Sequence, residues 1–294
     1  MRSDSKLEEK MAKHVDVCLS FDFDAMSVWL GSFGMSSPSA LSRGEFGRVG
    51  AERLLAMLRQ WGFRSTWFIP GHTVDTYPEL VRRIAAEGHE IGHHGYCHEN
   101  PASLSFDDER RILDKGIESI RRITGKAPTG YRSPAWDLSP HSLGLLLERG
   151  FLYDSSLMGN DFTPYYCRLG DKAPKDGPYI FGEEVNLVEM PVTWGLDDFP
   201  PFEWVWMSSG INPGLSSPSQ VYEIWSGDFY YLYDRLGEGV FCLTMHPQVI
   251  GRGHRLLMLE RLVEHIRTRD GVSFKTMSEV AESWRKNHPL TKKQ

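Results

Sequence analysis

The stretch "EIGHHGYCHENP", residues 90–101, places three histidines within six positions, flanked by glycines and followed by a proline. Imidazole is a common ligand for divalent metals, and His94 and His98 stand four residues apart. A helical turn there would bring both rings to one side of the chain. Asp22 and Asp24 in "LSFDFD" stand two apart, so in a strand both project from the same face. Two ionised carboxylates so placed repel one another unless a cation lies between or beside them. With one of these carboxylates, His94 and His98 complete a two-histidine, one-carboxylate ligand set. Zinc is its leading candidate, with cobalt or another divalent ion as the alternative. The same donor set holds iron in some oxygenases, which gives a second class of chemistry.

His246 in "LTMHP" adds an acid–base group and Arg132 in "GYRSPAW" a fixed cation. Singly, each has a plainer explanation. An HxxxH pair is unspecific, a lone histidine is more often packed than catalytic, and one arginine is ordinarily an ion-pair partner. Their joint occurrence at successive predicted strand ends favours a site.

Apolar or alternating runs begin at residues 15, 64, 89, 130, 151, 185, 240 and 272, and each reads as a strand. Between most of them apolar residues recur three and four apart, as in Leu54, Leu58 and Trp61 or Leu259, Leu262, Val263 and Ile266, which predicts helices. Alternation of strand and helix predicts an α/β fold with a parallel sheet, and about eight strands suit a barrel, whose sites form at the C-terminal strand ends. The first strand would turn Asp16, Cys18, Ser20, Asp22 and Asp24 inward, and the strand "VFCLTMH" would turn Val240, Cys242, Thr244 and His246 inward. Thr76 with Glu79 and Thr276 with Glu279 have capping-box spacing, and Ser139-Pro140 and Ser217-Pro218 resemble helix starts. Residues 25–44 and 155–184 show no period and read as long loops. No linker divides the chain, so residues 1–294 form one expected domain with its core at about 15–285.

With 40% hydrophobic residues among 294, the chain can bury a large core. A net charge of −6 disfavours a nucleic-acid or anionic-membrane surface, leaving a small or neutral partner. The N-terminal "MRSDSKLEEKMAKH" is charged throughout, which predicts a cytoplasmic location. Cys18, Cys97, Cys167 and Cys242 form no disulfide framework and are expected to be reduced thiols. Many aromatics between 194 and 234, including Trp194, Trp204, Trp206 and Trp225, suit a lid or the interface of a homo-oligomer better than a sugar platform.

The motifs "LSFDFD", "GHEIGHHGYCH", "GYRSPAW", "YDSS" and "LTMHP", in that order from about residue 15 to 250, resemble those of the polysaccharide deacetylase family. The resemblance implies a distorted (β/α) barrel with seven or eight parallel strands and a metal-dependent hydrolase of carbon–nitrogen bonds other than peptide bonds. It also implies Asp22 as catalytic base, Asp24, His94 and His98 as metal ligands, Arg132 as the arginine that orients the base, and His246 as general acid. Pro134 and Trp136 would border the substrate, a backbone N–H near Pro134 or Ala135 would hold the oxyanion, Asp154 would support the ligands from behind, and His93 would support them likewise, offer a spare ligand or simply pack. The reaction implied is attack on an amide carbonyl, with His246 protonating the leaving nitrogen.

Two departures bear on detail. Phe23 separates the two aspartates, and His93 stands where relatives often carry asparagine. "SFDFDA", "GHHGYCHENP" and "MHPQVIGRGHR" resemble more closely a branch with cyclic imide hydrolases, allantoinase-like enzymes and intracellular peptidoglycan deacetylase homologues. Two substrates therefore compete: an N-acetylated sugar and a cyclic imide or ureide. Arg252 and Arg255 stand ready in sequence to meet a carboxylate or ring carbonyl of a compact substrate. An inactive carbohydrate-binding homologue is the third reading, and the complete catalytic set argues against it.

Overall fold

The computed structural model describes residues 13–207 and 210–290. The first twelve residues, on which most of the expectation about location rests, lie outside the described residues. Among the described residues, no helix is long and apolar enough to cross a membrane.

The predicted strands form as β1 His14–Asp22, β2 Thr66–Ile69, β3 Glu90–His93, β4 Gly130–Tyr131, β5 Tyr153–Asp154, β6 Tyr165–Leu169, β7 Glu183–Glu189, β8 Val205–Met207, β9 Gly210–Asn212, β10 Glu238–Met245 and β11 Val272–Phe274. The main sheet runs β10-β1-β2-β3-β4-β5-β7-β6, and β11 pairs with β1. Seven strands of that path and β11 are parallel; only β6 runs antiparallel, against β7. The sheet curls into a distorted half-barrel whose end strands β10 and β6 do not pair. An isolated bridge from Asp197 to Thr244 and a 2.8 Å hydrogen bond from Val240 N to Phe162 O line the open edge of β10.

Side-chain alternation sorts the core as the sequence predicts. Val15, Val17, Leu19, Phe21 and Phe23 join the outer core with Phe241, Leu243 and Met245, while Cys18, Val240 and Cys242 lie in the cluster on the other face. Burying each large apolar side chain contributes ~1.5–3 kcal/mol, so a one-residue slip of β1 would both forfeit that contact and turn its carboxylates into apolar surroundings.

Helix α1 Pro38–Trp61 starts at an N-cap where Ser37 accepts from Ala40 N, and stops at Gly62 with φ 74°. It takes up residues 38–44 of the expected first loop, and residues 28–32 of that loop make a π-helical turn. Likewise the expected loop 155–184 contains β6. Helices α2 Gly71–Thr76, α3 Pro78–Ala86, α4 Phe106–Thr124, α5 Ser142–Glu148, α6 Phe199–Phe202, α7 Pro218–Tyr230, α8 Pro247–Ile250, α9 Gly253–Arg267 and α10 Met277–Asn287 complete the order. Capping boxes form at Ser217 and Thr276, but not at Thr76, whose hydroxyl donates to His72 O at 2.6 Å. Ser139 does not start a helix either; α5 begins at Ser142.

Candidate active site

Every residue of the predicted ligand set lies on or just after a C-terminal strand end. Asp24 follows β1, and its carbonyl accepts from Ser27 Oγ and, at 2.6 Å, from Thr73 Oγ1. His94 follows β3 and sets its Nδ1 2.7 Å from Arg132 O, so Nδ1 carries the proton and Nε2 is left as a lone-pair donor. His98 is reached through a tight turn, not the helical turn that the spacing suggested: Gly95 has φ 71° and His98 itself φ 58°. Glu99 holds this turn by accepting from Tyr96 N at 3.1 Å and Cys97 N at 2.7 Å, and Ser32 Oγ lies 2.6 Å from His98 Nδ1.

The outcome is a donor cluster. His94 Nε2 and His98 Nε2 lie 3.5 and 3.7 Å from Asp24 Oδ1, and all three residues are buried. Tetrahedral bonds of ~2.0–2.1 Å imply ligand separations of roughly 3.3–3.4 Å, close to those observed. His94 Nε2 and Asp24 Oδ1 have no hydrogen-bond partner, a costly state for buried polar atoms that a shared cation would relieve. Burial drives both histidines well below their ordinary pKa, which keeps them neutral as ligands must be.

Asp22 is treated differently. Its Oδ1 accepts from Arg132 Nη1 at 2.7 Å, and the fully buried guanidinium is fixed by Ser20 Oγ, Ser155 O and Ser155 Oγ at 2.9–3.2 Å. Asp22 Oδ2 remains on the side of His94 Nε2, 3.8 Å away.

Across the site, His246 stands at the end of β10 with its Nε2 3.8 Å from Asp24 Oδ2. Its Nδ1 meets Asp198 Oδ1 at 2.6 Å, and the same carboxylate accepts its backbone N–H at 3.0 Å. Burial alone would lower the His246 pKa, but Asp197 and Asp198 outweigh it and hold it well above the ordinary value. Sequence reasoning missed both aspartates. The signal was the "DD" in "GLDDFP", within a segment read only for its aromatics.

A cavity opens over these groups, walled by Val28, Phe33, Trp136, Trp194 and Phe199. Trp136 stacks on Trp194 with ring centroids 4.3 Å apart. Ala135 and Trp136 also border it and adopt φ 56° and 51°; with His98, they concentrate costly left-handed backbone around one pocket. Trp225, by contrast, is fully buried in the outer core.

Other expected residues stand elsewhere. Arg255 is buried with Nη1 and Nη2 donating to Val249 O and Phe202 O, and Arg252 lies over the Phe46 ring; neither lines the cavity. Their expected grip on substrate is thereby corrected: backbone carbonyls of α8 and α6 take the Nη donors of Arg255. Pro134 does not line the cavity either, and as an imino acid it has no N–H to offer. His93 points away from the ligands, with Nε2 3.1 Å from Leu113 O and its ring stacked on Tyr131; burial pushes its pKa down to about 4. It packs the wall behind β3.

Asp154 also stands apart from the ligands. It pairs with Glu189, and Ser156 Oγ donates to it at 2.7 Å. Burial raises both carboxyls, Asp154 to about 6 and Glu189 further, the latter also by the Asp154 charge. Because the folded pair binds its proton more tightly than the unfolded chain, its stabilisation is full below ~4 and is lost as pH rises through about 6 and beyond. Glu189→Gln removes one titrating group and should flatten this decline, raising stability at pH 8 relative to pH 5 by ~1 kcal/mol. Denaturant melts at the two pH values check this; an unchanged difference would contradict it.

Comparison with known proteins agrees with this geometry. The polysaccharide deacetylase family model matches residues 44–151. A peptidoglycan deacetylase of Helicobacter pylori is 42% identical over 96% of this chain and 100% of its own length, and a peptidoglycan deacetylase-like protein of Gibberella zeae is 34% identical over 92% and 87%. A Mycobacterium smegmatis structure described as a polysaccharide deacetylase superposes with a TM-score of 0.80 at 36% identity, covering 96% of each chain. An allantoinase structure reaches 0.77 at 21% identity over 95% and 93%, a likeness of fold. The chain therefore belongs to the polysaccharide deacetylase family, metal-dependent hydrolases of carbon–nitrogen bonds other than peptide bonds.

Proposed function

We propose that this protein is a zinc-dependent deacetylase that removes the acetyl group from an N-acetylated amino sugar, with Asp24, His94 and His98 as the metal ligands. The observation that carries the reading is the pair of buried, unpartnered donor atoms His94 Nε2 and Asp24 Oδ1, 3.5 Å apart and beside His98 Nε2. Two imidazoles and one carboxylate suit zinc, with cobalt as a substitute.

A divalent ion held there supplies Lewis acidity, polarising the amide carbonyl and bringing the pKa of attacking water towards ~7. Asp22, fixed through Oδ1 by Arg132, takes the proton from that water on Oδ2. An N–H for the developing oxyanion falls to Ala135, which borders the pocket, since Pro134 has none. His246 gives its Nε2 proton to the leaving nitrogen, while Asp198 keeps the other proton on Nδ1. Without this transfer the leaving group would be an amide anion, far too basic to depart.

One observation favours a second reading, ring-opening hydrolysis of a cyclic imide or ureide. The cavity is walled by four aromatic side chains, Phe33, Trp136, Trp194 and Phe199, and by Val28, which suits a compact substrate more than a long glycan. The names of the Helicobacter and Gibberella relatives support the sugar reading instead. Both use the same groups. Hydrolysis of chitooligosaccharides, N-acetylglucosamine, succinimide, hydantoin and allantoin, each with and without zinc, separates them.

The ligand assignment predicts that the protein binds about one equivalent of zinc and that His98→Ala loses it, because two remaining ligands hold the ion poorly. Metal analysis after dialysis checks this. Wild-type occupancy in His98→Ala would remove His98 from the site.

A further inference from the structure

Asp22 and Asp24 project from the same face of one strand, yet the protein secures them by opposite means. Asp22 meets the fixed cation of Arg132 at 2.7 Å. Asp24 meets no arginine or lysine; its Oδ2 accepts from Gln248 Nε2 at 3.2 Å and faces His246 Nε2 at 3.8 Å. Gln248 is buried and belongs to α8, directly after His246-Pro247. We propose that Gln248 is a positioning residue of the metal centre: its neutral amide fixes Asp24 Oδ2 so that Oδ1, which has no hydrogen-bond partner, faces His94 and His98. The proposal rests on the reading of Asp24, His94 and His98 as the ligands.

Three features support it. Only one amide orientation works, because turning Oε1 towards Asp24 would oppose two acceptors. An amide donates a hydrogen bond without adding charge, so it holds the carboxylate without bringing a further cation beside it; a lysine or arginine there would compete with the ion. The placement is also built from α1. A Cβ on Gly50 would come within 1.9 Å of Pro247 O, so this glycine lets α1 press α8 against the strand end. Groups that orient a metal ligand typically change affinity 10–100-fold when removed.

Gln248→Met keeps the length and approximate volume of the side chain and removes the donor. We expect it to bind zinc 10–100-fold more weakly in competition with a chromophoric chelator, and its cobalt form to show a shifted visible spectrum. Gln248→Lys should weaken binding further by placing a cation beside Asp24. Should the variants fail to fold, wild-type protein labelled at its four glutamines tests the same contact: one side-chain amide, protected from exchange, must shift on adding zinc. Folded Gln248→Met with affinity within twofold of wild type and an unchanged cobalt spectrum would overturn the proposal, as would four glutamine amides indifferent to zinc. Zinc retention by His98→Ala would instead overturn the ligand assignment beneath it, so the two failures are distinct.

Discussion

Asp22→Asn is expected to keep the metal and lose roughly 10²–10⁴-fold in turnover, the usual effect of removing a general base. The asparagine occupies the same volume and can still accept from Arg132 through its carbonyl, but it cannot take a proton from water. Metal retention follows because Asp22 contributes none of the three clustered donor atoms; its nearer contact is the 2.7 Å ion pair to Arg132. The change leaves a buried guanidinium without its counter-charge, so some loss of stability accompanies it. Thermal melts therefore belong beside the kinetics, so that only folded enzyme is compared. Zinc content at wild-type level with a collapsed kcat supports the assignment. Should Asp22→Asn strip the metal while Asp24→Asn retains it, the two aspartates have exchanged roles.

Asp198→Asn should be comparably damaging, again by roughly 10²–10⁴-fold in kcat, for a different reason. The carboxylate holds the proton on His246 Nδ1 at 2.6 Å and so directs Nε2 towards the substrate. An asparagine can present its amide N–H to Nδ1, which would stabilise the wrong tautomer. The charge matters as well. With Asp197, Asp198 raises the His246 pKa against the opposing effect of burial. Since the acid form exists below that pKa, removing one carboxylate should move the alkaline limb of kcat/KM to lower pH. A full pH–rate profile measures both effects; a variant with wild-type kcat and an unmoved alkaline limb would show that Asp198 does not act through His246.

The sequence made the local half of this site legible. Period-two alternation placed Asp22, Asp24 and His246 on inward faces because each strand has an apolar face that must meet the helices. What escaped were contacts made between distant segments. Asp197 and Asp198 reach His246 only because their segment bridges to Thr244 at the open sheet edge, and no pattern within residues 194–199 records that bridge. His98 takes a left-handed conformation that four-residue spacing cannot disclose, held by a carboxylate from Glu99. The arginines illustrate the converse error. Arg255 stands near His246 in sequence, but backbone carbonyls of α8 and α6 take its Nη donors. Proximity along the chain carried no information about which way a long side chain turns.

The proposed amide hydrolysis depends on a metal ion held by Asp24, His94 and His98. Its most direct test is to strip the protein with a chelator, add zinc in steps from zero to two equivalents, and follow product release from the best substrate of the hydrolysis screen. The prediction is negligible turnover in the stripped protein, a linear rise, and a break at about one equivalent, with no such recovery in His98→Ala. Undiminished turnover in verified metal-free protein would contradict it.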